Sequence, residues 1–256
     1  MADMAEHIPV QARPAAAVVL AREAEGDIAV FMVRRHIRSE FVPDAFVFPG
    51  GSVKEQDAAT EQMPDLCAPA GAGPTALGSG FRVAALRECF EEAGVLLARR
   101  GDSLLTIAPD EVARFASYRD GLNQQTLTLA ELAGREGLTL ATDALLHWAH
   151  WITPTAFPKR FDTHFFFTAM PAGQEAAHDQ LETTDSVWIR PTEALAGYER
   201  GEFPIVFATI HQLRALSDLH SIAAVHERFA GEPMRTIQPR VIQRDGQDVI
   251  VIDDEQ

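Results

Sequence analysis

The segment RVAALRECFEEAGVLL, Arg82 to Leu97, sets three glutamates into an otherwise apolar period. At about 100° per residue, Val83, Leu86, Phe90, Ala93 and Leu97 share one side of a helix, which predicts its core-facing side. Glu88, Glu91 and Glu92 then fall on an arc of roughly 100° opposite, and Gly94 follows as a helix stop. Arg87, four residues before Glu91, is placed to orient that carboxylate. Charged residues on a helix ordinarily form a solvated face, and glutamate is a good helix former. Here, carboxylates three and four apart repel, and near a helix C-terminus they also oppose the macrodipole, each by a few tenths of a kcal/mol. A divalent cation reverses both penalties. Oxygen-only ligands suit Mg²⁺ or Mn²⁺, which bind such sites together with substrate phosphates.

Upstream of this helix, PAAAVVLAR and GDIAVFMVRR read as two strands joined by a turn around Glu25-Gly26-Asp27. Prolines and paired glycines punctuate a short apolar strand in FVPDAFVFPGG, Phe41 to Gly51. Residues 58–80 are rich in Ala, Gly and Pro without a period, which predicts an irregular excursion holding one short helical turn. Downstream, APDEVARFASYRDG and TLTLAELAGREG predict helices capped by Asp110 and Thr128. HWAHWITP, RFDTHFFFTAMP and TTDSVWIRP alternate like strands. PTEALAGYERG predicts a short helix with Pro191 near its start, and Phe203–Gly231 a longer one. The tail, TIQPRVIQRDGQDVIVIDD, carries an Asp-Gly turn between two β-prone arms and predicts a hairpin.

The 256 residues suffice for one ample core, and 46% hydrophobic with 23% charged residues is ordinary for a globular chain. Asp and Glu number 37 against 22 Lys and Arg, a formal net charge of −15, which argues against a nucleic acid duplex as partner. Cys67 and Cys89 cannot make a disulfide framework and fit a reducing compartment. The start MADMAEHIPV lacks a secretory pattern, and the apolar run Ala15–Ala21 is far short of the ~20 residues a membrane helix needs. A soluble, cytoplasmic protein is expected.

RECFEEAGV, Arg87 to Val95, resembles the second half of the box that defines the Nudix hydrolase family, and FPGGSVKEQD, Phe48 to Asp57, resembles its first half. Two departures stand out. Asp57, or its neighbour Glu55, replaces the usual glutamate. The gap before the arginine, Ala58 to Leu86, is 29 residues, well beyond the usual spacing; an excursion leaving a loop and returning need not disturb either half. FVPDAFVFPGG, WITPTAFPKRFDTHFF and HDQLETTDSVWIRPTEAL extend the resemblance to the branch of the family that carries an interrupted box and hydrolyses acyl-coenzyme A. The resemblance implies an α/β fold, a Nudix-type α/β/α sandwich with a mixed sheet, extra inserted helices and a C-terminal helix plus hairpin. Residues 1–256 would form a single domain, with a core of about 15–230, residues 58–80 inserted within the box, and 231–256 as hairpin and tail.

Carried over residue by residue, the resemblance makes Glu91 and Glu92 ligands for Mg²⁺ or Mn²⁺, and Glu88 a ligand or the base that activates water. The Gly50 carbonyl would complete the sphere, Arg87 would orient a glutamate, and Gly51, Asp57 and Gly94 are motif positions. A further carboxylate from a later loop is assigned to Glu182 in preference to Asp185. Arg34, Arg35 and Arg160 are candidates for the diphosphate, with Asp162 a neighbour for Arg160 to pair with. His147, His150 and His164 lie among aromatics on strand-like segments, where structural roles are expected before zinc. Cys89 is expected as buried packing, as are Trp148, Trp151 and Trp188, any one of which could stack on a base. The implied reaction is metal-dependent hydrolysis of a small nucleoside diphosphate derivative, with coenzyme A or acyl-coenzyme A first. ADP-ribose or a nucleotide sugar is the alternative substrate, and a nucleotide-sensing module without turnover the alternative class. A homodimer is compatible with this reading; residues 58–80 and the C-terminal hairpin are candidates for its interface or for covering the site.

Overall fold

A computed structural model describes residues 10–38, 42–69, 77–78, 80–179 and 181–252. Strand β1 (Arg13–Ala24) is buried without interruption from Ala15 to Ala21, the pattern of a central strand covered on both faces. It turns through Glu25 and Gly26, both at positive φ, into antiparallel β2 (Asp27–Arg35), the two-residue connection whose twist matches the strands it joins. Two short strands follow: β3 (Phe46–Val47) pairs with β2, and β4 (Gly50–Ser52) pairs with β1. Helices α1 (Glu55–Glu61) and α2 (Phe81–Ala93) come next. Part of the predicted 58–80 excursion is thus the body of α1, and residues 70–76 and 79 lie outside the described ones.

A three-stranded sheet not expected from the sequence, β5 (Ala98–Arg100), β6 (Ser103–Leu104) and β7 (Thr139–Leu140), brackets α3 (Val112–Asn123) and α4 (Leu129–Glu136). Thr128 caps α4 with a reciprocal bond from Glu131, as expected. The α3 cap is Glu111 and not Asp110, because the Glu111 carboxylate folds back to accept from the Ala108 N–H and from Arg114.

Strands β8 (Leu146–Ile152), β9 (Phe161–Ala169) and β10 (Thr183–Ile189) complete the main sheet with β11 (Thr236–Ile237) at its edge. Its order is β10-β2-β1-β9-β8-β11, mixed, since β1 and β9 run parallel. Helix α5 (Pro191–Glu199) begins at Pro191. The single long helix expected to end at Gly231 is two, α6 (Phe207–Leu216) and α7 (Ile222–Phe229). The break falls at SDLHS, where Ser221 leaves helical geometry and its hydroxyl accepts the Ala224 N–H as a fresh cap. The hairpin β12 (Arg240–Arg244) and β13 (Gln247–Val251) turns at Asp245-Gly246 as predicted.

One face of the sheet packs on α2, α3 and α4 through Leu86, Phe90, Phe115, Leu122 and Leu132; the other packs on α6 and α7 through Ile210, Leu213, Leu216 and Val225. The α/β/α layering is the expected one. Among the described residues no helix is long and apolar enough to cross a membrane.

Candidate active site

The glutamate face of α2 is not solvated. Glu88, Glu91 and Glu92 are 8%, 8% and 6% exposed, because Gly50 and Gly51, which form strand β4 and not the turn expected from the sequence, and the start of α1 close over them. This close approach depends on glycine. A Cβ on Gly51 would stand 2.5 Å from Glu88 Oε1, and one on Gly50 would meet the Ala16 carbonyl at 2.6 Å. The Gly50 N–H donates to Glu92 Oε2 at 2.9 Å.

Arg87 holds the cluster together from beneath. Its guanidinium donates to Glu88 Oε1 at 2.6 Å, Glu91 Oε2 at 2.7 Å, the Ser52 carbonyl at 2.9 Å and both Asp57 oxygens. Asp57 also accepts the Lys54 N–H at 2.8 Å, so it opens α1 and anchors α2 at once. Glu55, the alternative, is exposed. Lys54 Nζ lies 3.7 Å from Glu91 Oε1.

At the other end of α2, Gly94 takes the left-handed conformation that ends the helix. Arg119 of α3 donates to the Glu91, Glu92 and Ala177 carbonyls at 2.8–2.9 Å. A guanidinium there satisfies orphan carbonyls and offsets the negative helix end on which Glu91 and Glu92 sit. Nothing in the sequence around Arg119 signals this role. Lys54 is likewise absent from the sequence reading, and its place three residues beyond Gly51 is the signal that points to it.

Burial pushes the Glu88 carboxyl up to about 7, with Arg87 opposing and Glu91 reinforcing the rise. Burial and then the Glu88 charge push Glu92 well above the usual range, against the Gly50 N–H and Arg35; Glu182 adds to the rise. Burial raises Glu91 against Arg87 and Lys54. Three acids that resist ionisation side by side form an oxygen-only donor set, and Mg²⁺ or Mn²⁺ fits it.

The glutamates open into a cavity of about 780 Å³. Gly50, Gly51, Arg35, Lys54 and Glu182 stand around its acidic end, and Trp151, Phe157, Phe161, Phe165 and Phe207 form an apolar wall. The structure therefore brings Arg35 and Glu182 to the glutamates. Asp179, also in the cavity, fixes the Glu182 loop by accepting the N–H groups of Leu181, Glu182 and Thr183. Arg34 and Arg160 are not in the cavity lining. Arg34 pairs with Asp44 at 2.9 Å, and Arg160 is buried with its guanidinium on the Thr153 and Val10 carbonyls. Asp162 contacts His150 rather than Arg160. Asp185 is exposed, lies outside the cavity lining and accepts its neighbour's N–H. Cys89 is buried, its thiol pushed up to about 12 by that burial. Of the tryptophans, Trp151 reaches the cavity.

A family model described as the NUDT19 Nudix domain matches residues 71–216. The chain is 30% identical over 238 residues to putative nudix hydrolase 7 of Caenorhabditis elegans, covering 90% of this chain and 71% of that protein. It is 27% identical over 254 residues to acyl-coenzyme A diphosphatase NUDT19 of Homo sapiens, covering 84% and 67%, and 26% identical to the Xenopus laevis protein of that name, of which it spans 63%. Among solved structures, a NUDIX hydrolase from Alicyclobacillus acidocaldarius is 28% identical and superposes with a TM-score of 0.70 over 88% of this chain and 99% of that one.

Proposed function

The chain belongs to the Nudix hydrolase family, and from that premise we propose that it splits the diphosphate of coenzyme A or an acyl-coenzyme A, with Mg²⁺ or Mn²⁺, into 3′,5′-ADP and (acyl-)phosphopantetheine. The observation that carries this reading is one continuous cavity joining three buried glutamates to an aromatic wall. Its volume is within the range of ligand pockets, roughly 300–1,000 Å³. The acidic end suits a diphosphate with its cation, and the wall of Trp151, Phe157, Phe161, Phe165 and Phe207 suits an apolar tail. The human and frog relatives named as acyl-coenzyme A diphosphatases support the same substrate class.

Hydrolysis adds water across the P–O–P bridge: one P–O bond forms, the bridging P–O bond breaks, and each half leaves as a phosphate monoester. Glu91 and Glu92 would hold a divalent ion, with Glu88 as a third ligand or as the base and the Gly50 carbonyl and Glu182 as further oxygens; the ion would supply charge neutralisation and acidify water. Arg87 keeps Glu88 and Glu91 from turning outward. Where Glu88 is not itself a ligand, it is the carboxylate placed to take the proton of the attacking water, held in position by Arg87. Arg35 and Lys54 line the acidic end and bring positive charge to where the phosphate oxygens would lie. In this reading residues 1–256 work as one domain, in a cytoplasm where Cys67 and Cys89 stay as buried free thiols.

A substrate panel with mass identification of products tests the reading. Coenzyme A or an acyl-coenzyme A is expected to give the highest kcat/KM, with two monophosphate products. A higher kcat/KM on ADP-ribose or a nucleotide sugar would replace the substrate, and tight nucleotide binding without any turnover would replace the class.

A further inference from the structure

Strand pairing gathers four side chains that look unrelated in the sequence. β8 lies against β9 so that His150 stands opposite His164 and Ile152 opposite Asp162. Side chains alternate along a strand. Asp162 and His164 therefore project from the face of the sheet opposite Thr163 and Phe165, which line the cavity. His150 Nε2 is 2.5 Å from Asp162 Oδ1, and His164 Nε2 is 3.9 Å from the same oxygen. One ligand atom from each of the three residues lies within 4.8 Å of the others. The remaining ring nitrogens are also engaged: His150 Nδ1 meets Thr236 Oγ1 at 2.8 Å, and His164 Nδ1 meets His147 Nε2 at 2.9 Å.

We propose that His150, Asp162 and His164 form a binding site for a transition-metal dication of the Zn²⁺ type, separate from the glutamate cluster. Two imidazole nitrogens and one carboxylate oxygen select such an ion over Mg²⁺, which takes oxygen alone. Ligand atoms around tetrahedral Zn²⁺ stand roughly 3.3 Å apart, between the 2.5 and 3.9 Å separations found here. The two rings, stacked 3.9 Å apart, would have to turn so that both Nε2 atoms converge on the ion, and the direct His150–Asp162 hydrogen bond would give way to it.

Thr236 and His147 serve as outer partners. With Nδ1–H of His150 donated to Thr236 Oγ1, and Nδ1–H of His164 to His147 Nε2, both Nε2 atoms would be left unprotonated for the ion once it displaces the His150–Asp162 hydrogen bond, the tautomer that binds a metal. A positive charge that opposes the ion is Arg82, drawn over the Phe166 ring with Glu61 as its counter-charge. Asp162 is about one-third exposed, which leaves a path for the ion and a coordination position for water. A bound ion would join β8 to β9 and, through Thr236, brace β11, which leads to the hairpin whose Ile250 lines the cavity.

Equilibrium dialysis of the full chain against Zn²⁺ in a large excess of Mg²⁺, with metal content read by mass spectrometry, tests the site; the visible spectrum of Co²⁺-loaded protein reports its ligand field. One Zn²⁺ per chain is expected in the wild type and in the Glu91→Gln/Glu92→Gln double variant, and loss of it in His164→Ala and Asp162→Asn. His147→Ala, which removes an outer partner, is expected to weaken Zn²⁺ roughly 10–100-fold. Wild-type protein that retains no Zn²⁺, or zinc content that follows the glutamates and ignores Asp162→Asn, overturns the proposal. Asp162→Asn decides the matter even where His164→Ala does not fold.

Discussion

Arg87 grips Asp57 through two parallel hydrogen bonds of 2.9 Å, across 30 residues of sequence, with both side chains 1% exposed. Removing one partner of such a buried pair leaves a desolvated charge. Asp57→Asn should therefore destabilise the fold by about 3–5 kcal/mol, while Glu55→Gln, at an exposed position, should stay within about 0.5 kcal/mol. Urea unfolding of both variants checks this, and equal losses would deny Asp57 its place as the anchor.

Glu91→Gln and Glu92→Gln each delete a charged oxygen ligand from the candidate metal site. Turnover should fall about 10²-fold or more in each, with a higher Mg²⁺ requirement. Steady-state rates across a Mg²⁺ titration measure both effects; wild-type rates in either variant would unseat the site.

Gly51→Ala would place a methyl group 2.5 Å from Glu88 Oε1. The carboxylate must move, and a displacement near 1 Å costs about 10²-fold in rate. The expected variant folds and binds substrate but turns it over slowly. Steady-state kinetics should show kcat falling more than KM changes, and an unaltered kcat would mean that Glu88 is free to shift without consequence.

Arg119→Met removes a guanidinium from the carbonyls of Glu91 and Glu92. A loss of about 1–3 kcal/mol in stability is expected, together with a lower kcat, although residue 119 touches none of the three carboxylates through a hydrogen bond. Full activity at unchanged stability would show that α2 keeps its last turn unaided.

Without a cation, stability should depend on pH through the same acids. The folded Glu88 carboxyl titrates near 7, against an ordinary 4.5. Its contribution is complete below the unfolded value and is lost as pH rises through about 7, where the folded protein must ionise a buried acid; the raised Glu92 acts in the same direction. Melting temperatures in chelator should therefore fall between about pH 5 and 8, and added Mg²⁺ should restore more at the upper end. A chelated protein whose Tm is flat or rising across that window contradicts the buried-acid account.

Local pattern carried much of the fold. The apolar side of α2, the Glu25-Gly26 turn, the Thr128 cap and the Asp-Gly hairpin each rest on residues within a few positions of one another. What the pattern left out comes from contacts distant in sequence. The wheel placed three glutamates opposite the core, yet a second surface, strand β4 with Gly50 and Gly51, buries them. The Arg119 clamp spans 27 residues or more, and the meeting of His150 with His164 depends on strand register. Arg160 illustrates the converse. A lone arginine beside a strand reads as available, but its partners are backbone carbonyls that no side-chain pattern announces.

Because Arg87 reaches Asp57 directly and the Gly80 N–H returns to Glu61, the two ends of the interrupted motif are moored side by side. The polypeptide between them is thereby released from the task of spacing the two halves of the motif. Doubling its length costs only about 0.6 kcal/mol in closure entropy, so a longer or shorter connection there would leave the glutamate cluster in place.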